Sequence, residues 1–173
     1  MTAMRKLLLI LFAGLALAVP RAAFAEVIVA FYSHEFGSSF PHAFVTVKGT
    51  PERGGTPIDT NYGFTAKSVT PAILMGPVAG SVEDVTPKYV ASSNRQFAVK
   101  ISDAHYDAMM AVVAKWRAIP GKSYSLNKRN CVHFVGEIGQ ALGLKVVFNA
   151  KLMKKPEGFL LSLIALNPSL KGS

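Results

Sequence analysis

The sequence predicts an α+β domain, and three observations carry that prediction. Apolar, β-branched runs come first, two amphipathic helical patterns come after them, and no internal repeat, low-complexity tract or linker divides the chain. Strands gathered before helices are the mark of an α+β arrangement.

The elements follow in order. Before the first strand lie Arg5 and Lys6, an unbroken apolar run from Leu7 to Val19, and the small residues of Ala23-Phe24-Ala25. This is the layout of a cleavable secretory signal ending at Ala25. Thirteen apolar residues fall short of the about 20 that a helix needs to cross a bilayer, which weighs against an uncleaved anchor. Glu26 follows the cut, so no lipoprotein anchor is indicated. Residues 26–173 then form a single domain of 148 residues, enough for a proper core.

Val27 to Tyr32, His42 to Val47 and Ile58 to Ala66 read as strands, with weaker ones near Pro77 to Val85 and Gln96 to Ile101. Loop composition separates them: Gly37 and two serines in the first gap, Pro51, Gly54, Gly55 and Pro57 in the second. A helix runs from a Ser102 cap to about Arg117, its stripe being Tyr106, Met109, Met110, Val113 and Trp116. A second starts at the Asn130 cap and ends at Leu142 before Gly143, with Cys131, Phe134, Val135, Ile138 and Leu142 on one face. Pro156 opens a last short helix carrying Phe159, Leu160, Leu163 and Ile164.

The full chain carries a formal charge of +9, and removing Arg5, Lys6 and Arg21 leaves 16 basic against 10 acidic residues. That balance suits anionic partners such as cell-wall polymer or phospholipid head groups. Basic residues do not interleave with aromatics, so no nucleic-acid partner is expected. Cys131 is the single cysteine, which excludes an internal disulfide. In an exported protein such a thiol forms an intermolecular bridge, fills core space or reacts.

Cys131 takes the first helical position after an asparagine cap. Unpaired amides and the positive end of the helix dipole favour a thiolate there, so its pKa is expected below the free value of about 8.5. The same amides suit the oxyanion of a tetrahedral intermediate. The alternative is an inert thiol packed beside Phe134 and Ile138.

The run Asn130-Cys131-Val132-His133-Phe134-Val135 resembles the Asn-Cys-Glu-His-Phe-Val signature of the lecithin retinol acyltransferase-like proteins. These form the permuted branch of the papain-like, NlpC-type cysteine hydrolases, in which the histidine strand precedes the cysteine helix. His42-Ala43-Phe44-Val45, some 90 residues upstream, resembles that histidine strand. The resemblance covers two short motifs and the order of elements. It implies a permuted papain-like domain, an antiparallel sheet packed against helices that include the one bearing the cysteine. It also implies an exported cysteine hydrolase or acyltransferase acting on cell-wall peptides or lipid acyl groups. Valine at 132, in place of glutamate, is a departure that bears on the acyltransferase activity.

Four histidines compete as the base. His133 lies about 200° around the helix from Cys131 and is expected to be structural. His105 is expected at the surface, and His34 at the border of a site. His42, in the sheet under the cysteine helix, is the expected base. If Phe44 sits opposite Asn61, then Asn61 shares the His42 face and orients the ring, with Thr60, Tyr62 or a main-chain carbonyl as alternatives. No metal pair and no phosphate loop occur, so no cofactor and no metal are expected. The run from Phe159 to Leu166, behind Lys151, Lys154 and Lys155, allows membrane contact, although packing onto the domain is the commoner outcome. Two other readings stand beside the hydrolase: a non-catalytic envelope-binding module on the same fold, and a peripheral membrane protein.

Overall fold

A computed structural model describes residues 26–35 and 40–173. The expected signal segment, 1–25, lies outside the described residues. Among the described residues, five strands form one antiparallel sheet: β1 (Val27–His34), β2 (His42–Gly49), β3 (Ile58–Ala66), β4 (Gly80–Glu83) and β5 (Asn94–Ile101), ordered β4-β3-β2-β1-β5. Their β-branched and aromatic residues fit a pleated surface, and alternation sends Val29, Phe31, Val45 and Val47 to a single face.

Two details of the sheet differ from the sequence reading. β1 continues past Tyr32, and His34 pairs directly with His42. In the β2–β3 hairpin Phe44 faces Gly63 and Thr46 faces Asn61, a shift of two residues from the expected pairing. A two-residue shift keeps every side chain on its face but moves it along the strand. Asn61 thus lies level with a residue four positions from His42, about 13 Å away at 3.3 Å per residue.

Among the described residues, five α-helices accompany the sheet: α1 (Ala72–Met75), α2 (Pro87–Ala91), α3 (Asp103–Arg117), α4 (Cys131–Ala141) and α5 (Pro156–Leu166). The first two are a single turn each, too short to leave a periodic signature. α2 starts where it does because Thr86 caps it and Pro87 stands at its first position. The strand expected over Pro77 to Val85 shrinks to Gly80–Glu83, since Val78 exchanges both backbone hydrogen bonds with Tyr124, each 2.9 Å.

The core forms where α3, α4 and α5 cover one face of the sheet. Met109, Val113 and Trp116 of α3, Phe134 and Ile138 of α4, and Phe159, Leu160 and Leu163 of α5 are all buried there. Trp116 donates its indole N–H to Glu137 at 2.9 Å, and Lys115 reaches the same carboxylate at 2.7 Å, joining α3 to α4. Phe159, Leu160 and Leu163 of α5 are thus used inside the domain, while Leu161 is exposed. No helix among the described residues is long and apolar enough to cross a membrane.

The opposite face is covered differently. Tyr32 stacks on Phe44 with ring centres 5.2 Å apart, and Tyr89 of α2 lies over Phe44 at 5.8 Å. One single-turn helix and a few aromatic rings do there what three helices do on the first face.

Candidate functional site

The site begins with a helix cap. Asn130 accepts hydrogen bonds at Oδ1 from the amides of Val132 (2.9 Å) and His133 (3.3 Å), closing the start of α4. Its Nδ2 donates to the carbonyls of Leu126 (2.8 Å) and Met153 (2.6 Å), so this buried side chain pins the helix to two loops at once. His133 completes the capping box through Nδ1, which receives the Asn130 amide at 3.4 Å, and its ring stacks on Phe148. It is a structural residue, as its angle on the helix suggested.

Cys131 follows the cap and is almost fully buried, its thiol in contact with the backbone of Ala43 on β2. Ala43 is the residue next to His42. Cys131 and His42 both line one cavity of about 580 Å³, together with Gly63, Tyr89, Tyr124 and Val132. The wall is mainly apolar, with Glu83, Asp84 and Lys154 as its charged members.

His42 owes its position to its neighbours. It stacks at 6.0 Å on Phe44, the next residue on its face of β2, and meets the edge of Tyr89 at 6.4 Å. Across the hairpin it lies over Gly63: a Cβ at that position would stand 2.5 Å from His42 Nε2. Glycine inside a strand often marks such a close approach, so Gly63, within the predicted strand Ile58 to Ala66, is a positioning residue whose only sequence signal is its place in that strand. His34, opposite His42, stacks on Tyr89 at 4.3 Å and has Nδ1 at 3.1 Å from Ser93 Oγ.

Asn61 does not serve His42. Its amide accepts from the Val85 amide at 2.6 Å and donates to the Val85 carbonyl at 3.0 Å, clamping β3 to the segment before α2. The expected orienting role fails because the register displaces it and because both ends of its amide are committed. Thr60 pairs with Val47 on the helix-covered side of the sheet, and Tyr62 belongs to the core under Arg117. His105 is exposed on α3.

Burial controls the protonation of the pair. The Cys131 thiol is pushed up to about 11, chiefly by loss of solvent, while backbone contacts from Ala43, Val132 and its own amide oppose the shift without overcoming it. The expected thiolate is therefore not the resting state. His42 is lowered to about 4, first by burial and then by the neighbouring His34. The ring keeps some solvent-accessible surface, yet enough protein packs around it to disfavour the charged form. Thiol and imidazole are both neutral near pH 7. Tyr89 and Tyr124, also on the cavity wall, are raised by burial and then by Cys131, Tyr89 to about 12, so both phenols remain donors. Val132 is fully buried, and a glutamate there would place a carboxylate against the same wall. No group of three or more His, Cys, Asp or Glu fit to hold a metal occurs among the described residues.

No protein-family model matches the sequence, and no curated protein matches it. Among solved structures, the crystal structure of the type VI secretion system effector TseH aligns with a TM-score of 0.51 at 13% identity. The alignment covers 83% of this chain and 90% of that one. At such identity the likeness is one of fold: the two chains share most of an α+β arrangement.

Proposed function

We propose that this chain is an exported thiol-dependent hydrolase on a permuted papain-like fold, with Cys131 as nucleophile and His42 as base. The observation that carries the reading is the meeting of two independent features in one cavity. A cysteine opens a capped helix, and a neutral histidine lines the same space from the neighbouring strand. The order of elements, the Asn-Cys-Val-His-Phe-Val run and a fold shared with a secretion-system effector all support it.

The chemistry follows from the neutral pair. A substrate carbonyl enters beside Cys131, and His42 takes the thiol proton as sulfur bonds to carbon. The carbonyl oxygen becomes an oxyanion, stabilised by the Cys131 amide at the start of α4 and by phenol donors from Tyr89 and Tyr124. When the tetrahedral species collapses, the protonated His42 returns its proton to the departing amine or alcohol, leaving an acyl-thioester on Cys131. Water, deprotonated by His42, then releases the acid and restores the thiol. Cell-wall peptides or lipid acyl groups are the substrates the resemblance suggests. Asn61 takes no part.

A second reading has its own support. A thiol raised to about 11 in a buried position also suits a non-catalytic envelope-binding module. Hydrolysis of chromogenic acyl esters and of cell-wall peptide fragments separates the two. The enzyme reading expects turnover that vanishes in Cys131→Ala and His42→Ala, with circular dichroism still that of the folded domain. It also expects Gly63→Ala, which crowds the His42 ring, to lower kcat by about tenfold or more, within the range a misplaced catalytic group costs. Absence of turnover on both substrate classes overturns the enzyme in favour of the module, and turnover that survives Cys131→Ala overturns Cys131 as the nucleophile.

A further inference from the structure

The two most exposed large apolar side chains among the described residues, Leu74 and Met75, stand on a finger beside the cavity. The finger is closed at its base by the Lys67 amide bonding to Ala79 at 2.9 Å and by the Val78–Tyr124 bridge. Between these ties, residues 68–77 contain no charged and no aromatic residue, and α1 at the tip buries nothing. Leu74 is 76% exposed, Met75 89% and Val69 57%. Ile73 and Val69 line the cavity that holds Cys131, while Ile73, Leu74 and Met75 wall a smaller adjoining recess with Leu126 and Lys154.

On the recess side of the finger the charge is positive. Ser125, Leu126, Asn127 and Lys154 form the other wall of that recess, and the runs that carry them, 122–129 and 151–155, hold Lys122, Lys128, Arg129, Lys151, Lys154 and Lys155 and no acidic residue. Glu83 and Asp84 line the larger cavity but not this recess.

We infer that the finger docks on an anionic lipid surface, with Leu74 and Met75 entering the acyl boundary while the flanking lysines meet the head groups. An aliphatic tip within a basic surround is the chemistry of interfacial attachment, where apolar burial and attraction to anionic lipid add together. A protein partner is a poorer fit, since its anchors are characteristically Tyr, Trp and Arg in a pocket, and the tip has none. The attachment differs from the one the sequence allows for the C-terminal helix, whose Phe159, Leu160 and Leu163 are buried in the core. It brings the mouth of the cavity against the membrane, and it holds whether or not Cys131 is catalytic.

Co-sedimentation with vesicles tests this, using the chain from Glu26 onward, which holds every described element and the whole core. Vesicles of phosphatidylglycerol with phosphatidylcholine are expected to bind it, more weakly as salt rises, and phosphatidylcholine alone to bind it poorly. Leu74→Glu with Met75→Glu is expected to cut binding by about a hundredfold, at roughly tenfold or more per lost apolar side chain. Lys151, Lys154 and Lys155→Gln should remove the preference for anionic vesicles. Both sites are exposed, so melting should not change. Failure to bind anionic vesicles, or binding that survives the Leu74 and Met75 changes, overturns the inference. So does self-association of the free chain that the same double change abolishes, which would assign the finger to a second copy.

Discussion

The two faces of the sheet come from the same strands by simple alternation, yet they do different work. On one face Val29, Phe31, Val45, Val47 and Phe97 meet three helices and form the continuous core. On the other, Tyr32, His34, Phe44 and His42 gather with Tyr89 under a single-turn helix, and Asn61 and Thr46 lie further along. The first face holds nearly all the apolar burial, and its titratable groups are Cys131 and the phenols of Tyr62, Tyr106 and Tyr124. The second holds His34 and His42, so these two rings are supported by the thinner of the two covers. Stability and chemistry are thus divided across one sheet and meet at the start of α4, where Cys131 touches the backbone of β2.

That division can be broken most sharply on β1. Phe31→Ala removes a fully buried ring stacked at 4.5 Å on Phe97 and should cost about 3–5 kcal/mol in denaturant unfolding. A loss below about 1 kcal/mol would show that the helix-covered face is not the seat of stability.

On the other face, Asn61→Ala cuts both hydrogen bonds to Val85 and should cost less, about 1–3 kcal/mol, because two backbone groups lose their partner. Hydrogen exchange should quicken around residues 84–93 while the core amides stay protected. Uniform loss of protection would mean that the two faces unfold as one.

Acid sharpens the comparison further. His42 titrates near 4 in the folded chain, against about 6.5 when unfolded. As pH falls below 6.5 the unfolded chain takes up the proton first, so stability from this source is complete above about 6.5 and declines toward pH 4. Below that point it falls no further on this account. Urea midpoints for wild type and His42→Gln should therefore diverge between pH 4 and 6.5. Since His133 is also lowered, the variant is needed to isolate His42. Parallel curves would place the His42 ring in water.

The smallest effect belongs to Ile28→Thr, on the same strand as Phe31 but 41% exposed on the other face. It should stay within about 0.5 kcal/mol. A larger change would reveal more cover on that face than α2 and its neighbours supply.

The sequence by itself determined the elements and the local chemistry of the cap. Four of the five described strands and the three long helices stand close to where their periodicity and stop signals put them, and the fourth strand in chain order is shorter than its pattern. Such patterns depend on neighbours within a few residues, and those are written in the chain. The Asn130 cap and the structural place of His133 were legible for the same reason. Tertiary structure alone decided the β2–β3 register, which moved Asn61 away from His42 and set Gly63 beneath the ring. It decided the protonation of Cys131 as well. The helix terminus acts locally in favour of the thiolate, but burial sums over every element packed around the sulfur, and burial prevails. The finger at Val69 to Met75 belongs with these: its apolar residues read like any core segment, and only the packing of the rest of the chain leaves them outside.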